Sequence, residues 1–149
     1  LRSSAPKTAP HITVIPPFDW AASYDDLEKT LGKGLTGLKP FPVVAQRIGH
    51  FGTAIIYINV LPSPEITTLH KQLVAGLSLK NQGRGKARPY HPHITLGTRL
   101  TQEAYHTYME DLRGYVPREQ FTCNRVTVFR FVRHGRRLRW QERGEVAIP

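Results

Sequence analysis

Pro10-His11-Ile12-Thr13-Val14 and Pro92-His93-Ile94-Thr95-Leu96 are nearly the same five residues, written twice in one chain. A lone His-x-Thr carries no information in a sequence with seven histidines. Pro-His-Ile-Thr repeated letter for letter, each time ahead of apolar residues, does. β-Branched and apolar residues bounded by Pro or Gly predict two short strands, His11 to Phe18 and His93 to Leu100. Side chains two apart on a strand share a face, which sets His11 beside Thr13 and His93 beside Thr95. A pseudo-twofold relating the two halves then lets the His–Thr pairs converge across the groove between sheets.

The surroundings of the two motifs repeat as well. Val43 to Ile48 and Ala54 to Leu61 predict a hairpin around Gly49-His50-Phe51-Gly52, whose glycines can take positive φ. Phe121 to Arg133 alternates as one strand, turns at His134-Gly135 and returns over Leu138 to Gln141. Ser23 caps a helix with Asp25 and Asp26 in its first turn and Leu27, Leu31 and Leu35 as its apolar stripe. Ser63-Pro64 starts a second, with Ile66, Leu69, Leu73 and Leu77 on one face. Thr101 opens a third, whose Tyr105, Tyr108, Met109 and Leu112 are expected in the core and which stops at Gly114. Strand, helix and hairpin therefore occur in that order twice. Strands returning through hairpins, with helices between, define an α+β fold with antiparallel sheets.

The chain has 149 residues and a formal net charge of +10. That length suits a single domain spanning residues 1–149, or two lobes sharing a core. Ordinary globular composition argues against general disorder. The longest apolar run, Ala54 to Leu61, is broken by Tyr57 and Asn59 and is too short to cross a bilayer. No cationic start leads into an apolar stretch, so the expectation is a cytoplasmic protein without a membrane partner. A single cysteine, Cys123, excludes an internal disulfide framework and a four-cysteine zinc site. The positive excess attracts phosphate-bearing partners. It is concentrated in Arg125, Arg130, Arg133, Arg136, Arg137, Arg139 and Arg143, and in Lys80, Arg84, Lys86 and Arg88.

Two imidazoles and two hydroxyls around one small volume are the equipment for in-line attack on phosphorus. Imidazole changes charge near neutral pH, so one copy can accept a proton while the other donates. The hydroxyls can hold the non-bridging oxygens of a phosphodiester. No metal and no cofactor is required. The near symmetry leaves open which histidine is acid and which is base. The same residues are also compatible with an RNA-binding module whose histidines serve as phosphate contacts, or with a small cyclic phosphate substrate.

Paired His-x-Thr strand motifs resemble those of the two-histidine (2H) phosphoesterase superfamily. Pro92-His93-Ile94-Thr95-Leu96-Gly97 after a basic loop, and Gly49-His50-Phe51-Gly52 before an apolar strand, are similar to its bacterial 2′-5′ RNA ligase or RNA 2′,3′-cyclic phosphodiesterase branch. The resemblance runs from Ala9 to about Ile148. It implies a bilobal, pseudo-symmetric fold, with two antiparallel sheets facing a central cleft and helices packed outside. It implies opening of a 2′,3′-cyclic phosphate at an RNA end to a 2′-phosphate, or formation of a 2′-5′ linkage in the same site. It makes His11 the proton donor, His93 the proton acceptor, and Thr13 and Thr95 the phosphate holders. The partners implied are RNA termini or cyclic-phosphate nucleotides, with no obligatory protein partner.

The chain departs from that pattern in two places. The family has a strand and helix ahead of its first motif, and here they are expected to be missing, since His11 stands so near the start. Relatives also place an arginine five residues after the second histidine, where this chain has Thr98 followed by Arg99. By strict alternation Arg99 shares the face of His93 and Thr95 and reaches the phosphate. Gln82 to Tyr90 lacks the Walker A pattern and reads as an RNA-facing flap: Arg84, Lys86 and Arg88 neutralise phosphates and Tyr90 stacks on a base. Phe51 is a further stacking candidate beside the substrate.

Overall fold

The structure, a computed structural model, describes residues 8–79 and 89–149. Its helices begin where the sequence places their caps. Ser23 accepts a hydrogen bond from the Asp26 amide at 3.2 Å and opens α1 (Tyr24–Gly34). Ser63 accepts from the Ile66 amide at 3.2 Å ahead of α2 (Pro64–Gly76), whose first residue is the proline. Thr101 accepts from the Ala104 amide at 3.1 Å ahead of α3 (Gln102–Asp111). Each such cap is worth about 1 kcal/mol, because it satisfies an amide that the helix itself leaves without a partner.

The strands are β1 (Phe41–Phe51), β2 (Ile55–Val60), β3 (His93–Gly97), β4 (Arg118–Cys123), β5 (Arg125–His134) and β6 (Arg137–Ala147). They form a four-stranded sheet in the order β3-β2-β1-β4 and a two-stranded sheet of β5 and β6. The pairs β1–β2, β2–β3 and β5–β6 are antiparallel, and with three helices among the described residues the class is α+β.

Four expectations about these elements need correction. Residues 11–18 form no strand, and Ile12 makes an isolated antiparallel bridge to Ile94. Pro16 and Pro17 carry no N–H, so no ladder can continue past Val14 and Ile15. β1 runs on through Gly49, His50 and Phe51, and the chain turns instead at Gly52 (φ +54°), where the Ala54 amide reaches the Phe51 carbonyl at 3.3 Å. The stretch Phe121 to Arg133 is two strands, broken at Asn124, whose carbonyl accepts from the Ile148 amide at 2.8 Å. Alternation continues through the break because it records faces, not which sheet a strand joins. α3 has no buried residue. Of its tyrosines, Tyr105 meets the His50 ring edge-on and Tyr108 is exposed.

The described chain divides into two compact units that interleave along the sequence. One holds the chain up to Thr13, Val44–Leu61 and His91–Phe121; the other holds Val14–Val43, Pro62 to Tyr90, and Thr122–Pro149. The second unit buries Leu27, Leu31 and Leu35 with Ile66, Leu69 and Leu73, as their helical spacing requires. Burying a leucine contributes about 1.5–3 kcal/mol. Gly34 lets α1 and α2 approach closely: a Cβ there would meet Leu73 Cδ2 at 3.2 Å. In the same unit Tyr24 lies against Gly144, and the Arg143 guanidinium covers its ring at 3.8 Å. The first unit buries Ala45, Ile56, Tyr57, Val60 and Leu100. Among the described residues no helix is long and apolar enough to cross a membrane.

Candidate active site

The bridge between Ile12 and Ile94 joins the middle residues of the two repeated tetrapeptides. Residues opposite one another in an antiparallel pair point to the same face, and their chain neighbours point to the other. Ile94 also pairs with Ile58, and Ile58 with Ile48, so four isoleucines make one row on one face. An antiparallel register about that bridge sets position 11 opposite 95 and position 13 opposite 93, so alternation assigns both His–Thr pairs to the other face. Both motifs belong to one compact unit. The bridge links the two tetrapeptides directly at the outer side of β3.

The two histidines are held in the same way. His11 Nδ1 lies 2.8 Å from the Ala9 carbonyl, and His93 Nδ1 lies 2.7 Å from the His91 carbonyl. A carbonyl oxygen only accepts, so in each ring Nδ1–H is the donor and Nε2 carries the lone pair of the neutral form. Matching contacts two residues back, in two stretches remote in sequence, extend the repeat from letters to atoms.

The surroundings of the rings differ. His11 and Thr13 are exposed, whereas His93 and Thr95 are half-buried. The His93 ring packs 5.1 Å from Phe51, edge-on, and 5.1 Å from Tyr57. His91 closes this group, 5.2 Å from Phe51 and 5.4 Å from Tyr57, with its Nε2 3.1 Å from Asn59 Oδ1. Phe51, expected to stack beside the substrate, packs against the rings of Tyr57, His91 and His93. Tyr57, Asn59 and His91 escaped the sequence reading as site residues. Tyr57 pairs with Thr95 and Asn59 with His93, which puts both on the His–Thr face. Their signal was present: they are the two polar interruptions, two apart, in the apolar run of β2.

Gly49 explains how a tyrosine fits there. It pairs with Tyr57 across β1 and β2, and the Tyr57 ring lies over it where any side chain would stand. A strand glycine of this kind marks close approach by another group.

Other expected site residues fall elsewhere. β3 ends at Gly97 and the ladder slips between Ile56 and Tyr57, so strand alternation does not extend to Arg99. Arg99 instead sits exposed in a turn at φ +54°. Tyr90, expected to stack on a base, stacks on His70 within the second unit, the rings 4.2 Å apart and 5° from parallel. Burial pushes the Tyr90 phenol up to about 12, with Cys123 adding in the same direction. Burial likewise raises the Cys123 thiol, against a smaller opposing hydrogen bond at Arg125. Arg84, Lys86 and Arg88 lie outside the described residues. Among the described residues no three His, Cys, Asp or Glu side chains group closely enough to hold a metal ion.

The fold is shared with several crystal structures. The E. coli LigT complexed with 3′-AMP superposes with a TM-score of 0.68 at 16% identity, over 97% of this chain and 82% of that one. A structure described as a phosphoesterase gives 0.66 at 17% identity, over 93% and 76%. TT0787 of Thermus thermophilus gives 0.61 at 18% identity, over 93% and 78%. Among curated proteins no sequence matches the chain. The family model of the 2′-5′ RNA ligase superfamily matches residues 1–135, and the chain belongs to that family. Membership supports a phosphoesterase or ligase activity.

Proposed function

We propose that this protein hydrolyses the 2′,3′-cyclic phosphate at an RNA end to a 2′-phosphate, with phosphorus held between His11, Thr13, His93 and Thr95. The observation that carries the reading is the Ile12–Ile94 bridge, with its matched Nδ1 contacts at both histidines. By the alternation of an antiparallel pair, that bridge supports an arrangement in which both His–Thr pairs share one face.

The chemistry follows from the proton count. Water attacks phosphorus in line with the 3′ oxygen, and His93 Nε2 takes its proton. The P–O3′ bond breaks, and His11, protonated at Nε2, returns a proton to the departing oxygen. Thr13 and Thr95 donate to the non-bridging oxygens, which gain charge in the transition state. The division into His93 as base and His11 as acid follows the family pattern. One ring must be neutral and the other protonated, so the rate falls on both sides of a pH optimum.

The test is product analysis with an oligoribonucleotide ending in a 2′,3′-cyclic phosphate. The expected product carries a 2′-phosphate and a free 3′-hydroxyl, at a rate unchanged by chelator. His11→Ala and His93→Ala should each lower kcat by about 10²–10⁴-fold. A 3′-phosphate product, or full activity in His93→Ala, refutes the reading. The family's description favours a second reaction in the same site, 2′-5′ joining of RNA pieces. Incubation with cleaved RNA halves tests it.

A further inference from the structure

The β5–β6 hairpin carries apolar surface that its own unit does not cover. Phe131, Leu138 and Trp140 are 50%, 52% and 38% exposed. Phe131 pairs with Trp140, their rings 4.9 Å apart, and the next pair on that face is Arg133 with Leu138. The other face of the same segment carries Arg130, Arg139 and Arg137, and Arg136 stands at the turn beside Gly135. These arginines are all exposed, and neither ion pair among the described residues, Arg113–Glu110 or Arg125–Glu145, involves them. The base of the hairpin is different: Val126, Val128 and Val146 are half-buried there and Gly144 lies against Tyr24 of α1. Packing therefore anchors one end and leaves the other as an open ribbon of aromatic and cationic groups.

We infer that the outer half of this hairpin, residues 130–141, is a binding platform for single-stranded RNA, formed by residues other than those of the His–Thr site; the choice of RNA over DNA rests on the function proposed above. Exposed aromatic faces attract any apolar partner, but the charge selects among partners. Five arginines and no Asp or Glu between residues 130 and 141 fit a polyanion whose own flat apolar groups stack. Unpaired nucleotides supply both features at a regular spacing: bases for Phe131 and Trp140, phosphates for the arginines. A second copy of this chain would set like charges against each other.

The test is fluorescence anisotropy of the full chain with a labelled oligoribonucleotide of about 12 nucleotides, within the usual site size for such surfaces. A plain 3′-hydroxyl end lets binding be read without turnover. Trp140→Ala should weaken binding roughly five- to 150-fold, the loss expected for one stacked base. Trp140→Phe should hold affinity while abolishing the quenching of tryptophan fluorescence by RNA, which keeps the test valid if the alanine variant misfolds. Arg133→Gln and Arg137→Gln should each flatten the salt dependence by about 0.7 in log–log slope. Wild-type affinity and slope in all these variants overturn the inference. So does equal binding of duplex RNA, binding of anionic vesicles without oligonucleotide binding, or a dimer that Trp140→Ala dissolves. Oligonucleotide binding through Trp140 without cyclic-phosphate cleavage sinks the proposed reaction and leaves the platform standing; cleavage without such binding does the reverse.

Discussion

Replacing Gly49 with alanine is expected to disturb His93 without touching it. A Cβ at Gly49 would stand 2.5 Å from Tyr57 Cε2, 2.7 Å from Cζ and 2.9 Å from the hydroxyl oxygen. Carbon atoms pack at about 3.5–4.0 Å, so the ring must move by about 1 Å. It cannot do so freely. Tyr57 is buried, and its ring is bounded by Phe51 at 4.5 Å, His93 at 5.1 Å and His91 at 5.4 Å. Overpacking of this kind costs about 1–3 kcal/mol. For a chain of this length that lowers Tm by roughly 2–12 °C. Displacing a catalytic group by 1 Å can cost as much as about 100-fold, so kcat/KM for the cyclic phosphate should fall by tens of fold. Thermal melts and steady-state kinetics on Gly49→Ala, Tyr57→Ala and the double variant measure both effects. The double variant has no ring to collide with, so the two costs should be far from additive. Gly32→Ala is the control: nothing lies within 4 Å of its Cβ position in α1, and it should stabilise by about 0.8–1 kcal/mol. Wild-type Tm and kcat/KM in Gly49→Ala, or strict additivity with Tyr57→Ala, would show that this ring does not set the position of His93.

Thr13→Val and Thr95→Val keep shape and remove a donor; each should lower kcat by about 10²–10³-fold, read in single-turnover assays. Asn59→Ala removes the partner of His91 Nε2, and through the His91 carbonyl loosens His93. A loss near 1 kcal/mol corresponds to roughly fivefold in kcat, with KM for the cyclic phosphate little changed. Tyr90 supplies a pH signature of stability. Its phenol ionises at about 12 in the folded chain against an ordinary value of 10.0, so the folded state favours the neutral ring. The stabilisation is complete below pH 10 and is lost as pH rises from 10 to about 12. Denaturant midpoints measured across that range should fall more steeply in the wild type than in Tyr90→Phe.

Local rules reached the helices, because caps and periodic leucines act over a few residues: Ser23, Ser63 and Thr101 start the helices they were expected to start. The same holds for the turn at Gly135 and for the α+β class. Alternation failed where it had to choose a partner. It read Phe121 to Arg133 as one strand, since a period of two says nothing about which sheet takes the next residue. It carried Arg99 onto the His93 face past a slip in the ladder that is a property of pairing, not of sequence.

The chain by itself determined that His11 accompanies Thr13 and His93 accompanies Thr95, because neighbours two apart on extended backbone share a side whatever the fold. It also determined the 2′-5′ RNA ligase family, through a tetrapeptide too long to recur by accident. Tertiary structure alone decided that Ile12 lies opposite Ile94, and that Tyr57, Asn59 and His91 lie about His93. Those contacts join residues far apart in sequence, and their register is chosen by the packing of whole strands, which no local pattern encodes.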